Sequence, residues 1–114
     1  MLGKNRRLTE KEVKETFSQG VNVFDSDISL MFLKKPKDNP SKFALSVSSK
    51  IAKNAVKRNT LRRFGYNIIA SIAPYVKKGY YCVFIVKKDI SLFEKNKISA
   101  TVKKLLQKSG ALDT

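Results

Sequence analysis

Residues 43–63 read FALSVSSKIAKNAVKRNTLRR, and this stretch decides the fold class. Large and small side chains alternate at its start and place Phe43, Leu45 and Val47 on one side, which predicts a half-buried strand over residues 43–48. From residue 54 the apolar spacing becomes helical and stays so until Pro74, which predicts a helix over residues 54–72. A strand followed so closely by a long helix indicates a chain in which strands and helices interleave.

The predicted central helix has two different faces. Its apolar residues share an arc of about 80° at about 100° per residue, namely Leu61, Phe64, Ile68 and Ile72. A second arc, about 140° wide, carries Arg58, Asn59, Arg62, Arg63 and Tyr66. One face can therefore pack on a sheet while the other offers guanidinium groups to solvent. Gly65 inside the helix costs about 1 kcal/mol relative to alanine, which close packing of the backbone against a neighbour would explain.

A shorter helix precedes this region. Thr9 and Glu12 have the spacing of a capping box, in which each side chain accepts a hydrogen bond from the other residue's backbone amide. Val13 and Phe17 then lie on one face, and Gly20 is expected to end the helix as a glycine cap. The spacing predicts a helix of about ten residues, which needs tertiary packing to persist.

The remaining segments complete an α+β chain. Residues 28–33 predict a strand with Ile28, Leu30 and Phe32 on one side, and the loop at 36–41 suits a hairpin connection. Residues 80–86 are almost continuously apolar, as in a strand that is buried on both faces. Residues 91–94 repeat the capping-box pattern before an apolar stripe that ends at Gly110. The order α-β-β-(β)-α-β-α, with a short extra strand near residues 21–24, predicts a two-layer α/β sandwich in one domain, 1–114.

The charge balance points to a polyanionic partner. The chain has 24 Lys+Arg against 9 Asp+Glu, a formal net charge of +15, while 42% of its residues are hydrophobic, which excludes a disordered basic tail. Residues 50–63 carry lysines and arginines with no carboxylate among them, which favours a nucleic-acid backbone, although a solvated basic face is the ordinary alternative. Membrane binding is the weaker interpretation, because no apolar run approaches the roughly 18 residues of a span. We expect a cytoplasmic protein with no small-molecule substrate.

The sequence also restricts the chemistry. It contains no histidine, which excludes Ser-His-Asp and Cys-His nucleophilic sites and histidine-ligated zinc. Cys82 lies inside the apolar run at 80–86 and is expected to be a small buried hydrophobic residue. We therefore assign no catalytic and no metal-ligating side chain.

Residues 43–59 carry a demanding pattern, a strand ending in Ser-Val-Ser, a short lysine-rich link, and Ala-Val-x-Arg-Asn at the start of a helix. Together with Arg7-Leu8-Thr9, the helix end at Phe17 and Gly20, and residues 109–112, this pattern resembles the protein subunit of bacterial ribonuclease P over nearly the whole chain. The resemblance implies an α/β sandwich with a left-handed β-α-β crossover, contrary to the usual handedness of parallel crossovers.

The resemblance also implies a function. In the family, an RNA subunit with Mg²⁺ cuts the 5′ leader from precursor tRNA, and the protein supports that RNA and holds the leader. This sequence departs from the family's Arg-Asn-Arg motif at Thr60, and Tyr66 stands where the family often has a further arginine. Because many lysines and arginines remain nearby, these two departures do not change the family assignment.

Two candidate sites follow from the resemblance. The first would bind the ribonuclease P RNA subunit through Lys50, Lys53, Lys57, Arg58, Asn59, Arg62 and Arg63. The second would be a cleft between the first helix and the sheet that holds the precursor-tRNA leader by base stacking and lysine contacts. Its expected residues are Lys11, Val13, Lys14, Phe17, Ser29 and Met31.

Three other interpretations remain open from the residues. Phe17 and Met31 would serve only to close a small core if no cleft forms. The chain would be a general RNA-binding or ribosomal protein if charge and fold alone mattered. A self-sufficient protein nuclease is the third, and the missing histidine and carboxylate cluster argue against it.

Overall fold

Strands and helices alternate along the chain in the predicted order. The computed structural model describes residues 3–47, 50–51, 53–90 and 94–113. Short 3₁₀ turns occupy Lys4–Arg6 and Ala73–Tyr75, and the main elements are α1 (Glu10–Gln19), β1 (Val21–Val23), β2 (Ile28–Lys34), β3 (Lys42–Val47), α2 (Ala55–Ile72), β4 (Tyr80–Val86) and α3 (Lys95–Ser109). The α+β class is confirmed, and the short extra strand is present as β1. Within the described ranges no helix is both long and apolar enough to cross a membrane.

The sheet has the strand order β1-β2-β4-β3. β4 pairs antiparallel with β2 and parallel with β3, so β2 and β3 are not neighbours and the predicted hairpin at residues 36–41 is wrong. The physical reason is that β4 is apolar along its length, with Val83 and Phe84 fully buried, so it occupies a central position. β3, α2 and β4 form a β-α-β unit, whose left-handed sense stays a prediction.

α2 and α3 cover one face of the sheet. Leu30, Leu45 and Phe84 are register partners on that face, and all three are buried beneath the two helices. The predicted inward sides of β3 and α2 are confirmed, and Ile28 and Leu30 of β2 are buried in the same core. An ideal Cβ at Gly65 would lie 2.4 Å from Leu45 Cδ2, so the glycine lets α2 approach β3 closely.

α1 packs against β2 and β4 on the opposite face. Val83 is fully buried although it alternates away from the α2–α3 core, because α1 covers it. The carboxylate of Glu12 joins α1 to the sheet: Glu12 Oε2 accepts from Lys42 Nζ at 3.0 Å and from Tyr81 Oη at 2.8 Å. Its Oε1 accepts from the Thr9 amide at 2.8 Å, which confirms the predicted capping box.

Two helix ends differ from the sequence prediction. Gly20 ends α1 with φ −82°, which is not left-handed, and an ideal Cβ there would clash with the Thr16 carbonyl oxygen of α1 and lie 2.6 Å from the Phe32 carbonyl oxygen of β2. The glycine is thus required by close approach to these two carbonyl groups and not by its backbone angle. α3 begins at Lys95, later than the second capping box predicts, and Glu94 is its N-cap without a side-chain hydrogen bond. Ser91, the other member of that box, lies outside the described residues. Gly110 ends α3 at φ +87°, as predicted.

The surroundings of Glu12 shift its acidity. Burial tends to raise the pKa of this carboxyl, but the hydrogen bonds from Thr9, Tyr81 and Lys42 outweigh that effect and lower the pKa from 4.5 to about 2. Burial and the neighbouring Glu12 carboxylate raise the pKa of Tyr81 to about 12, so the phenol remains a donor at neutral pH. Since the folded pKa of Glu12 is depressed, its stabilising effect is complete above pH 4.5 and is lost as pH falls toward 2.

Glu12→Gln should therefore reduce the free energy of unfolding at pH 7 by roughly 1–3 kcal/mol, and the difference from the unmodified protein should disappear near pH 2. Urea unfolding at several pH values would measure this. Glu10→Gln is the matched control, because Glu10 lies on the same helix and, in the part of the chain that the structure describes, its one ion pair is with Lys14, at 3.8 Å and with both side chains exposed. A Glu12→Gln stability difference that is independent of pH would contradict the prediction.

Candidate nucleic-acid interface

The first candidate surface begins where α2 begins. Asn54 caps the helix, and its Oδ1 accepts from the amides of Val56 at 2.7 Å and Lys57 at 3.4 Å. The first turn of α2 contains no acidic residue, so the positive end of the helix dipole adds to the charge of nearby lysines. Because β3 and β4 are parallel, this helix end lies at the end of the sheet where both strands finish.

Most of the predicted basic residues are open to solvent. Arg62 Nη1 donates to Asn59 Oδ1 at 3.4 Å, so the amide orients this guanidinium. Half-buried Arg58 donates through Nη1 to the Lys53 carbonyl at 2.9 Å and thereby fixes the turn that leads into the helix. The exposed members of the set are Lys50, Lys53, Asn59, Arg62 and Arg63.

Lys57 differs from the other members of the predicted set. It lies four residues before Leu61, on the apolar side of α2, and its Nζ is 3.2 Å from Asp89 Oδ2. The ion pair ties α2 to the segment that follows β4. Lys57 therefore has a structural contact that the charge pattern of the sequence did not predict.

The two departures from the family motif have their own contacts. The Thr60 hydroxyl donates to the Val56 carbonyl at 3.0 Å and remains within the helix. Tyr66 Oη accepts from the Leu45 amide at 3.2 Å, and the Arg7 guanidinium lies 5.0 Å from the centre of the Tyr66 ring. Arg7 thus adds a guanidinium beside the basic arc. Sequence reasoning missed it, because its position depends on a β-bridge between Arg7 and Phe43.

The second candidate surface lies along one flank of α1. Glu12 points toward Tyr81, and Phe17 is about 140° farther around the helix, so Phe17 lies on the flank of α1 that faces away from Tyr81. Phe17 is 43% exposed, while Val13 and Met31 are half-buried. We use the name α1 groove for the predicted surface that these three side chains share.

The other predicted groove residues take different positions. Ser29 is buried, and its hydroxyl donates to the Asp25 carbonyl at 3.4 Å, so its side chain is not open to a ligand. Lys11 and Lys14 are both exposed on the outer side of α1, where they border a pocket with Tyr81, and Lys14 Nζ lies 3.8 Å from Glu10 Oε1.

Two further residues lie beside Ser29 in the sheet, and sequence reasoning did not include them in the predicted site. Half-buried Ile85 and exposed Ser46 share the register row of Ser29. Alternation along β4 could have indicated Ile85, but the neighbouring position of Ser46 follows only from the strand order.

The sequence and the structure both match known proteins. A family model described as Ribonuclease P matches residues 2–110. The chain therefore belongs to the family of ribonuclease P protein components, subunits of an endoribonuclease that acts in tRNA processing.

Individual relatives agree with this assignment. The ribonuclease P protein component of Synechococcus sp. (strain JA-2-3B'a(2-13)) is 32% identical, covering 98% of this chain and 87% of the relative. The RNase P protein from Thermotoga maritima superimposes with a TM-score of 0.77 at 21% identity, over 90% of this chain and 96% of that one. The RNase P protein of Staphylococcus aureus gives 0.78 at 14% identity, over 97% and 100% of the two chains. The two solved structures confirm the fold.

Proposed function

We propose that this chain is the non-catalytic protein subunit of a ribonuclease P ribonucleoprotein, with residues 1–114 as one RNA-binding domain in the cytoplasm. The observation that carries the proposal is the exposed arc of α2, where Asn59, Arg62 and Arg63 project from a helix whose other face is fixed on the sheet. Guanidinium groups bind phosphate through paired hydrogen bonds, so a rigid row of them suits an RNA backbone. The partner of this arc is the ribonuclease P RNA subunit.

The α1 groove is the proposed site of the precursor-tRNA leader. Phe17 keeps enough exposed ring for a base to stack on it, and stacking contributes about 1–3 kcal/mol per base in single-strand binding. Lys14 can meet a backbone phosphate beside that ring. Phe17 is the only aromatic residue in the predicted groove set, so the contacts should be tolerant of leader sequence.

The hydrolysis itself is assigned to the RNA. Among the residues that the structure describes, no three His, Cys, Asp or Glu side chains come together to hold a metal ion. These side chains therefore do not offer the cluster of oxygen ligands that Mg²⁺ takes. We place Mg²⁺ on the phosphates of the RNA subunit, and the protein contributes positive charge and positions the substrate.

Reconstitution tests the proposal. Adding the purified chain to the cognate RNA subunit should raise the rate of precursor-tRNA cleavage, or the affinity for precursor tRNA, at physiological Mg²⁺. No gain in either quantity would remove the proposal. Cleavage by protein freed of all RNA would instead revive the protein-nuclease interpretation.

The double variant Arg58→Ala with Arg62→Ala should weaken binding to the RNA subunit and reduce the magnitude of its salt slope by about two, because two phosphate contacts are lost. Binding isotherms at several salt concentrations would measure both quantities. The matched control is Arg58→Lys with Arg62→Lys, which keeps the charge and should keep most of the slope. An unchanged slope in the alanine variant would place the interface elsewhere.

Phe17→Ala should lower the affinity of the reconstituted enzyme for precursor tRNA roughly five- to tenfold and leave mature tRNA almost unaffected, because only the precursor has a leader to stack. Phe24→Ala is the control, since Phe24 is an exposed aromatic residue outside the α1 groove. Equal losses for both RNAs, or a large drop in melting temperature, would show that Phe17 serves the core.

A further inference from the structure

A second basic surface lies at the opposite end of the sheet from the start of α2. The end of β2, the loop that follows it and the turn before β4 together form a surface pocket lined by Lys34, Lys35, Lys37, Lys77 and Lys78. We call these five residues the lysine platform. β4 runs over Tyr80–Val86 from this end to the other, and at about 3.3 Å per residue it separates the two basic surfaces by roughly 20 Å.

The backbone beneath the platform is held in place. The Lys35 amide donates to the Gly79 carbonyl at 2.7 Å, and the Gly79 amide donates to the Asn39 carbonyl at 2.8 Å. Gly79 has φ +87°, and an ideal Cβ there would lie 2.8 Å from the Lys35 carbonyl oxygen, so glycine is required at this junction. The Lys77 amide also donates to the Ala111 carbonyl at 2.8 Å. The two loops therefore present their lysines from a fixed base.

The platform keeps an excess of positive charge. Lys35 pairs with Glu15 at 3.3 Å and Lys77 with Asp113 at 3.0 Å. Within the described residues, the other three lysines have no carboxylate within ion-pair distance, and all three are exposed: Lys34, Lys37 and Lys78. The Lys77–Asp113 pair is itself open to solvent, so a polyanion can displace its carboxylate at little cost.

The aromatic rings at this end are not available to bases. Tyr80 is 9% exposed with Lys34 Nζ 6.0 Å from its ring centre, and Tyr81 is 8% exposed with Lys35 Nζ 5.3 Å away. The phosphates of a single-stranded segment could contact the lysines here, but its bases would have no exposed aromatic ring on which to stack. Lysine ammonium groups act as point charges on flexible stems, which tolerate varied phosphate positions.

We propose that the lysine platform is a second RNA contact that takes the phosphate backbone of a double-helical segment, in which the bases are already stacked on each other. The inference rests on the proposed function, since the double helix belongs either to the RNA subunit or to the tRNA body of the precursor. Two basic surfaces about 20 Å apart would let one small protein hold two RNA segments at once.

The test uses the full chain with Lys37→Ala and Lys78→Ala together, a change that breaks no ion pair of the described residues. The control is Lys103→Ala with Lys104→Ala, which removes the same charge from the exposed side of α3. The salt dependence of binding is measured in three arms, namely protein with RNA subunit, holoenzyme with precursor tRNA, and holoenzyme with mature tRNA. The platform variant should weaken binding roughly tenfold and reduce the salt slope by about two.

Each outcome decides the proposal. A reduced slope in the first arm assigns the double helix to the RNA subunit, and an equal reduction with precursor and mature tRNA assigns it to the tRNA body. A reduction for precursor tRNA alone would indicate a single-stranded leader and overturn the proposal, as would an unchanged slope in every arm or an equal effect of the control pair. If the unmodified protein enhances cleavage and the platform variant binds every RNA with the same affinity and the same salt slope as the unmodified protein, only this inference fails. The proposed function then stands.

Discussion

The carboxylate of Glu12 is the group on which the position of α1 depends. The apolar stripe of α1 is narrow and Phe17 is nearly half exposed, so hydrophobic burial alone holds this helix weakly. Glu12 adds charge-assisted hydrogen bonds to Lys42 on β3 and Tyr81 on β4, and it also closes the cap at Thr9. The flank of α1 that faces away from these contacts is thereby kept above the open part of the sheet. A polar contact, and not a full apolar interface, therefore anchors the helix beside the proposed α1 groove.

The central position of β4 determines where the two basic surfaces lie. Since β3 and β4 are parallel and joined through α2, the start of α2 must lie where β3 ends, and its guanidinium arc lies at that side of the molecule. β2 is antiparallel to β4, so Lys34 at the end of β2 lies beside Tyr80 at the start of β4. The lysine platform is therefore at the other end of the same strand. A hairpin between β2 and β3 would have given a different sheet and a different spacing of charges.

Local patterns predicted the elements and their faces well. The alternation around Leu45 and the helical stripe through Leu61 both depend on neighbours in sequence, and both are found buried as expected. The predictions that failed concern features that depend on contacts between segments distant in the sequence. The strand order, the buried state of Ser29 and the contact of Arg7 with Tyr66 all depend on which strands pair, and no local period encodes that. For the same reason Gly20 looked like a conformational stop, although its role is close approach to carbonyl groups of α1 and β2.

The few acidic residues are used to fix the fold and not to neutralise the surface. Of 9 acidic residues, six take part in ion pairs within the described residues, and five of these pairs join different parts of the fold, including Lys42–Glu12, Lys35–Glu15 and Lys57–Asp89. Most lysines and arginines of the described residues lie outside these six ion pairs, on a chain of net charge +15. Their mutual repulsion destabilises the compact state, and screening by salt reduces it only partly. The proposed RNA contacts would remove this repulsion at both ends of the sheet, so the charges that destabilise the free protein would stabilise its complex with RNA.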